Sequence, residues 1–264
     1  MSAATASFTR SLTIQSRVVG ALLMREVITR YGRHNIGFFW LFIEPILFTL
    51  GVTAIWMATK ATHGSNIPVA AFAVTGYSTL LLWRNVAARC IKAIEPNLAL
   101  MYHRNVMLID VLLARALLEV AGATFSLVVL TIVFYGIGAM QLPVDVIRVL
   151  VAWSMLIWFS VALGIAVGAL SEISETIDRV WHIFVYLLFP LSGAVFLVDW
   201  LPPAGREIVL MLPMVHATEM IRHGFFGDMV RTHYDLGYLA VFNAFLTLGG
   251  LLILRILSRR LEVE

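Results

Sequence analysis

The sequence predicts an all-α integral membrane protein. Six transmembrane helices are expected, with an N-terminal interfacial helix and a re-entrant helical hairpin between helices five and six. Three observations lead there. Of the 264 residues, 60% are hydrophobic and only 13% are charged, with mean hydropathy +0.89; a soluble domain is about half apolar and about a quarter charged. Apolar runs long enough to cross about 30 Å of hydrocarbon recur along the whole chain. Lys and Arg crowd into alternate connections.

The elements follow in chain order. Residues 8–36 read as a helix at the membrane surface, with Leu12, Val19, Leu23 and Val27 on one side among arginines, until Arg30 returns to that side. A docked soluble helix is the other reading of this weak stripe. No apolar core of a cleaved signal peptide is expected within MSAATASFTRSLTIQSR. The spans are expected at Phe38–Thr59, Val69–Val86, Val111–Gly138, Val146–Leu170, Ile177–Val198 and Leu236–Leu257. Two connections are long, 87–110 and 199–235. The second is apolar but broken by Pro213 and Gly224, which suits a lid over a wet cavity rather than a span. No repeat or linker divides the chain, so 1–264 is read as a single membrane domain.

With six crossings, Arg10, Arg17, Arg25, Arg30, Arg33, Arg84, Arg89, Lys92, Arg104, Arg115, Arg179, Arg255, Arg259 and Arg260 fall on one side. Lys60, Arg148, Arg206, Arg222 and Arg231 fall on the other. The asymmetry places both termini in the cytoplasm. The net charge of +3 is explained by these loops, with no nucleic-acid partner expected.

Reactive chemistry is sparse. The two lysines, Lys60 and Lys92, follow Thr59 and Ile91, so neither completes a phosphate-binding Gly-Lys-Ser/Thr loop. Neither an enzyme active site nor a cofactor is expected in this chain. The single cysteine, Cys90, excludes an intrachain disulfide. His216, Glu219 and His223 have helical spacing that suits zinc ligands or the polar, wet face of a lid. Because Glu219 can pair with Arg222 or His223, the polar face is expected and no metal.

Within the spans, Glu44-Pro45 stands out. Pro45 is expected to bend the first span near Leu41, and Glu44 reads either as an anchor between helices or as a polar group at a cavity. Arg115 and Glu119 are expected to pair along one helix. Gly164-x-x-x-Gly168 permits close helix contact. Phe38, Phe39, Trp40, Phe42, Tyr77, Trp83, Trp181, Phe184, Tyr186 and Phe189 form either an interfacial belt or the lining of a passage.

The blocks Arg25-Glu-Val-Ile-Thr-Arg-Tyr-Gly-Arg33, Gly37-Phe-Phe-Trp40 and Glu44-Pro45 closely resemble the start of the permease subunits of capsular-polysaccharide ABC transporters, of the type-2 exporter group. The resemblance continues through Arg104-Asn-Val-Met-Leu-Ile-Asp110, Leu212-Pro-Met-Val-His-Ala-Thr-Glu-Met-Ile-Arg222 and Gly224-Phe-Phe-Gly227. It implies a half-transporter in the bacterial inner membrane: a second copy of the chain, and a separate ATPase subunit that binds ATP and Mg. It implies ATPase coupling within 87–110, through Ile94, Glu95, Pro96, Leu98, Leu100 and Met101, with the Ser171–Asp178 turn as a second contact. It also implies a passage for a lipid-linked, usually acidic polysaccharide past Arg30, Arg33, Phe38, Phe39, Trp40, Phe42, Glu44, Tyr77, Trp83 and Arg89, with His34 and Arg84 near its entry. The 199–235 hairpin becomes a periplasmic gate bearing Pro213, His216, Glu219, Arg222 and Phe225. Further implied partners are membrane lipids and periplasmic and outer-membrane capsule export proteins. The alternatives are an O-antigen or other glycoconjugate exporter of the same group, an ion-coupled secondary transporter, a membrane enzyme acting on lipid-linked sugars, and a scaffold subunit. Only Glu44 offers a deep acid for ion coupling, and the His216 cluster is the one enzyme candidate.

Overall fold

The computed structural model describes residues 8–31, 35–59, 67–98 and 106–261, and among these it is helical without strands. The helices are α1 (Phe8–Tyr31), α2 (Asn35–Thr59), α3 (Val69–Cys90), α4 (Leu108–Gly136), α5 (Val146–Ile173), α6 (Glu175–Leu188), α7 (Pro203–Val209), α8 (Pro213–Phe226) and α9 (Leu236–Leu261). Single 3-10 turns occupy Glu95–Asn97, Val198–Trp200 and Gly227–Met229. Among the described residues, α4, α5 and the Leu236–Arg259 part of α9 are long and apolar enough to cross a membrane.

The centre of the bundle is α3. Every residue from Ala70 to Trp83 is buried. Small side chains let α4 and α5 pack closely against it, with α2 and α8 on its remaining sides. Two of its hydroxyls are satisfied in this dry setting, because Thr75 and Thr79 donate to the carbonyls of Ala71 (2.8 Å) and Gly76 (2.7 Å) one turn back.

The Gly-x-x-x-Gly pair lies where α5 meets α3. A Cβ on Gly164 would come within 2.9 Å of Cys90 Sγ, and one on Gly168 within 2.8 Å of both the Cys90 carbonyl oxygen and Leu112 Cδ2. Cys90 itself is fully buried there. Gly168→Val is therefore expected to push backbone from backbone and to cost about 1–3 kcal/mol. A lower thermal midpoint of the detergent-solubilised protein checks this; an unchanged midpoint would mean that α3 and α5 are not in contact.

Helix ends follow local chemistry. Asp145 accepts the Arg148 N–H at 2.9 Å and starts α5, and Asp110 accepts the Met107 N–H at 2.8 Å at the start of α4. Helix α2 runs without a break through Glu44-Pro45. The fifth span differs from expectation. Residues 177–198 are helical only to Leu188, so α6 has 14 residues. Pro190 brings no N–H to continue the ladder, and Gly193 adopts a left-handed φ of +79°.

The 199–235 connection contains the two short helices α7 and α8. Helix α8 does not present a wet face. All its residues but His223 are buried, packed against α5, α9 and α3. The polar face expected on His216 and Glu219 is corrected accordingly: it points into protein, where it holds chain segments together.

Candidate functional site

An open groove of about 720 Å³ runs along the face shared by α2, α3 and α6. Glu44 and Phe48 line it from α2; Arg84, Asn85, Ala88 and Arg89 from α3; Trp181, His182, Val185, Tyr186 and Phe189 from α6. Spacing explains the set. Positions 181, 185 and 189, with 182 and 186, recur every four residues and share one side of a helix, as do 84, 85, 88 and 89. The Arg84 guanidinium lies 5.8 Å from the centre of the Phe48 ring. Beneath the groove, buried Tyr77 contacts the rings of Phe48 (5.7 Å), Trp56 (5.8 Å) and Phe189 (6.2 Å). Aromatic faces beside two arginines, an amide, an imidazole and one carboxylate can bind a sugar chain or an anion. Bond-making is not suggested by this set.

The structure sorts the expected passage residues. Glu44 and Arg89 line the groove, whereas Tyr77 does not line it but packs behind Phe48 and Phe189, which do. Trp83 does not belong: it is 1% exposed, in the core. Its neighbour Arg84 faces the groove instead, because consecutive helical positions point about 100° apart. The side chains of Arg30, Phe38, Phe39, Trp40 and Phe42, and residues Arg33 and His34, lie outside the described residues. Phe48, Asn85, Ala88, His182 and Val185 were not legible as site residues. Their four-residue spacing to Glu44, Arg89, Arg84, Tyr186 and the Trp181–Phe189 pair was the available signal.

Below the groove α3 ends in a turn that is tied on two sides. From α5, Ser171 Oγ accepts the Lys92 N–H at 3.0 Å and Glu172 accepts the Ile94 N–H at 2.9 Å. From α1, Arg25 donates to the Asn97 side chain, which in turn donates to the Ala93 carbonyl at 2.7 Å. Lys92 Nζ reaches Asp178 at 3.5 Å. Of the residues expected to couple to an ATPase, Glu95, Pro96 and Leu98 are exposed. Ile94 is corrected: at 1% exposure it anchors the turn from inside. Leu100 and Met101 lie outside the described residues.

The expected Arg115–Glu119 pair along α4 is replaced by pairs between helices. Arg115 Nε lies 3.2 Å from Glu26 of α1, and Arg115 Nη1 donates to the Arg89 carbonyl at 3.1 Å. Glu119 lies 3.5 Å from Arg89 Nε. Gln15 of α1 also donates to Asp110 of α4. Tertiary partners thus take over charges that sequence spacing assigned to one helix.

At the opposite end, the expected gate residues Pro213, His216, Glu219, Arg222 and Phe225 are all buried. Arg222 donates to the carbonyls of Ala194 (2.9 Å) and Phe196, faces Glu219 at 3.9 Å, and stacks over Phe72 with 4.0 Å to the ring centre. Glu219 accepts the backbone N–H groups of Val198 (3.3 Å) and His233 (3.1 Å). Burial pushes its carboxyl up, and Arg222 with these two donors pulls it back. His216 takes the Asp235 N–H on Nδ1 at 2.8 Å and pairs through Nε2 with the Leu210 carbonyl at 2.7 Å. That pattern assigns a neutral ring protonated on Nε2, in keeping with burial, which lowers its pKa. Both nitrogens are thereby committed to backbone. Gly76 makes room for the assembly, since a Cβ there would sit 2.1 Å from the Ala194 oxygen.

The family model described as ABC-2 type transporter matches residues 17–226. The chain is 44% identical over 258 residues to the capsule polysaccharide export inner-membrane protein CtrC of Neisseria meningitidis serogroup B, covering 98% of this chain and 97% of that protein. It is 43% identical, with the same coverage, to the capsule polysaccharide export inner-membrane protein BexB of Haemophilus influenzae. The polysialic acid transport protein KpsM of Escherichia coli is 26% identical, over 92% of this chain and 94% of that protein.

Proposed function

Because the chain belongs to the ABC-2 type transporter family, we propose that it is the membrane-spanning subunit of an ATP-driven exporter that moves a lipid-linked capsular polysaccharide from cytoplasm to periplasm. The observation that carries this reading is its similarity, over 98% of its length, to a capsule polysaccharide export inner-membrane protein. Its relatives among the capsule polysaccharide export inner-membrane proteins favour capsule over O-antigen.

Six crossings are supplied by α2, α3, α4, α5, α6 with the segment to 198, and α9, with both termini in the cytoplasm as the Lys/Arg asymmetry requires. Two copies face each other across their grooves, so that the passage is lined twice by the same residues. Glu95, Pro96 and Leu98 form the described part of the surface for a separate ATPase, which holds ATP and Mg. The turn's anchorage to α1 and α5 supports a role in passing on force. On the periplasmic side the α7–α8 hairpin acts as the gate, near the capsule export proteins of the envelope.

Affinity purification of the tagged chain from native membranes in mild detergent is expected to bring an ATPase subunit in about equal amount. A pure chain without ATPase, across several detergents, would overturn the exporter reading. Topology is checked on the same strain. Met211 is 68% exposed beside the hairpin, so Met211→Cys is expected to react with a membrane-impermeant thiol reagent from the periplasm. Labelling only from the cytoplasm would invert the orientation.

A further inference from the structure

We infer that His216 is an acid-sensitive latch in the gate hairpin: a proton on its Nδ1 turns away the Asp235 N–H, draws in the Asp235 carboxylate and frees the first turn of α9. The inference rests on the hairpin facing the periplasm, whose acidity it would then sense. Sequence spacing singled out His216, Glu219 and His223 as one face of α8. In the structure that face fastens the strap 230–235, which leads into α9. His216 Nδ1 accepts the Asp235 N–H at 2.8 Å, Glu219 accepts the His233 N–H at 3.1 Å, and His223 Nδ1 lies 3.0 Å from the Tyr234 hydroxyl.

Of these three ties, the first alone needs a bare ring nitrogen opposite a backbone donor. The Tyr234 hydroxyl can donate or accept, so His223 keeps its partner in either protonation state. His216 Nε2–H also keeps its acceptor, the Leu210 carbonyl at 2.7 Å. Protonated Nδ1, in contrast, sets one N–H against another. The Asp235 carboxylate is the acceptor at hand. Its Oδ1 now caps α9 by accepting the Tyr238 N–H at 2.9 Å. Turned to the imidazolium, it leaves that N–H uncapped. Gly237 presents no Cβ to confine the carboxylate; one would sit 3.2 Å from Oδ1. The strap stays fastened at His233 and Tyr234, so the change is confined to 235–238. It reaches the hairpin through Tyr238, whose hydroxyl donates to the Met211 carbonyl at 2.8 Å and whose ring centre lies 4.9 Å from that of His216.

The surroundings set the direction of the response. Asp235 and Tyr238 face His216 from α9. Helix α8 itself carries Glu219, Arg222 and His223. The strap brings His233, which pairs with Asp199 at 3.2 Å, and α7 brings Glu207 and Arg206, the latter 3.4 Å from Asp199. Helix α5 places the Asp145–Arg148 pair at the far end of α8, beside Gly224. Helix α3 has no charged residue between Val69 and Trp83. Burial holds His216 below the ordinary imidazole value of 6.5, although the Leu210 carbonyl and Asp235 pull it back up. The latch is therefore closed above 6.5 and is lost as pH falls through the lower folded value.

Nitroxide mobility in the full chain tests the latch. Leu236, 37% exposed, lies in the first turn of α9. Leu236→Cys in a Cys90→Ala background is spin-labelled and placed in nanodiscs. As pH falls from about 7.5 to about 5, the range in which imidazoles titrate, a mobile spectral component is expected to replace an immobile one, with its midpoint below 6.5. His216→Gln, whose amide offers an acceptor and a donor but takes no proton, is expected to stay immobile throughout. Glu219→Gln, His223→Gln and His233→Gln are expected to keep the transition. Asp235→Asn retains the N–H and a capping oxygen but not the charge, so its midpoint is expected to fall by about one pH unit, a tenfold loss of proton affinity. If His216→Gln is mobile at both ends of the range, the Asp235→Asn midpoint decides. No transition in the wild type, a transition kept in His216→Gln, a transition lost in any of the other three variants, or an unmoved midpoint in Asp235→Asn would overturn the latch. Nanodisc spectra read the latch whichever way the chain is inserted, whereas labelling of Met211→Cys reads the orientation, so failure of one is distinguishable from failure of the other.

Discussion

Arg222→Met is expected to be the most damaging single change in the described molecule, at about 3–5 kcal/mol, the usual consequence of stripping one member from a buried ion pair. The side chain is fully buried. Its loss leaves Glu219 facing hydrocarbon-like surroundings and takes the donors from the carbonyls of Ala194 and Phe196. The thermal midpoint of the solubilised protein, with its elution profile, is the measurement. The companion is Arg222→Met with Glu219→Gln. Removing the orphaned charge is expected to restore part of the lost stability, since a glutamine oxygen can still accept one of the N–H groups of Val198 and His233. If the double variant is as unstable as the single one, the pair is not a coupled unit.

Arg84→Glu is expected to lower export of an acidic polysaccharide by at least about tenfold, equivalent to roughly 1.4 kcal/mol of lost attraction, without loss of folded protein. Arg84 is partly exposed, lines the groove together with Glu44, and reaches over Phe48. The substitution leaves two carboxylates in the described lining where a cation and an anion stood. Surface polysaccharide per cell, normalised to the amount of membrane-inserted chain, gives the answer. Normal export would remove the groove from the path of an acidic cargo.

Much of this architecture was legible from run length alone, because hydrocarbon thickness dictates how many apolar residues a helix must have. Gly164 and Gly168 were legible for a similar reason: spacing of small residues on one side of a helix leaves few other uses. The end of α6 was harder. Residues 189–198, FPLSGAVFLV, are as apolar as a helix interior, and only Pro190 and Ser192-Gly193 hinted at the break. Charged residues were read least well. Arg115 had Glu119 at helical spacing, yet Glu26, far away in sequence, won it. Glu219 and Arg222 looked like a wet face because their partners, the backbone of 194–198 and 233, are brought in only by the fold. In the groove the sequence offered Trp181, Tyr186 and Phe189 as a belt or a lining and missed Phe48. It assigned Trp83 where Arg84 belongs, since one step along a helix turns a side chain away from its neighbour's direction.

The brevity of α6 has a consequence for the surrounding lipid. At 1.5 Å per residue its 14 residues rise about 21 Å, against roughly 30 Å of acyl-chain thickness. On the six-crossing layout this wall of the groove is too short for an undistorted bilayer, and each ångström of mismatch costs a fraction of a kcal/mol. On that layout the non-helical stretch to 198 completes the crossing, and lipids beside the short helical part are expected to thin. The transporter should therefore work best in short-chain lipid and slow in thick, long-chain membranes, making bilayer thickness itself a control on export.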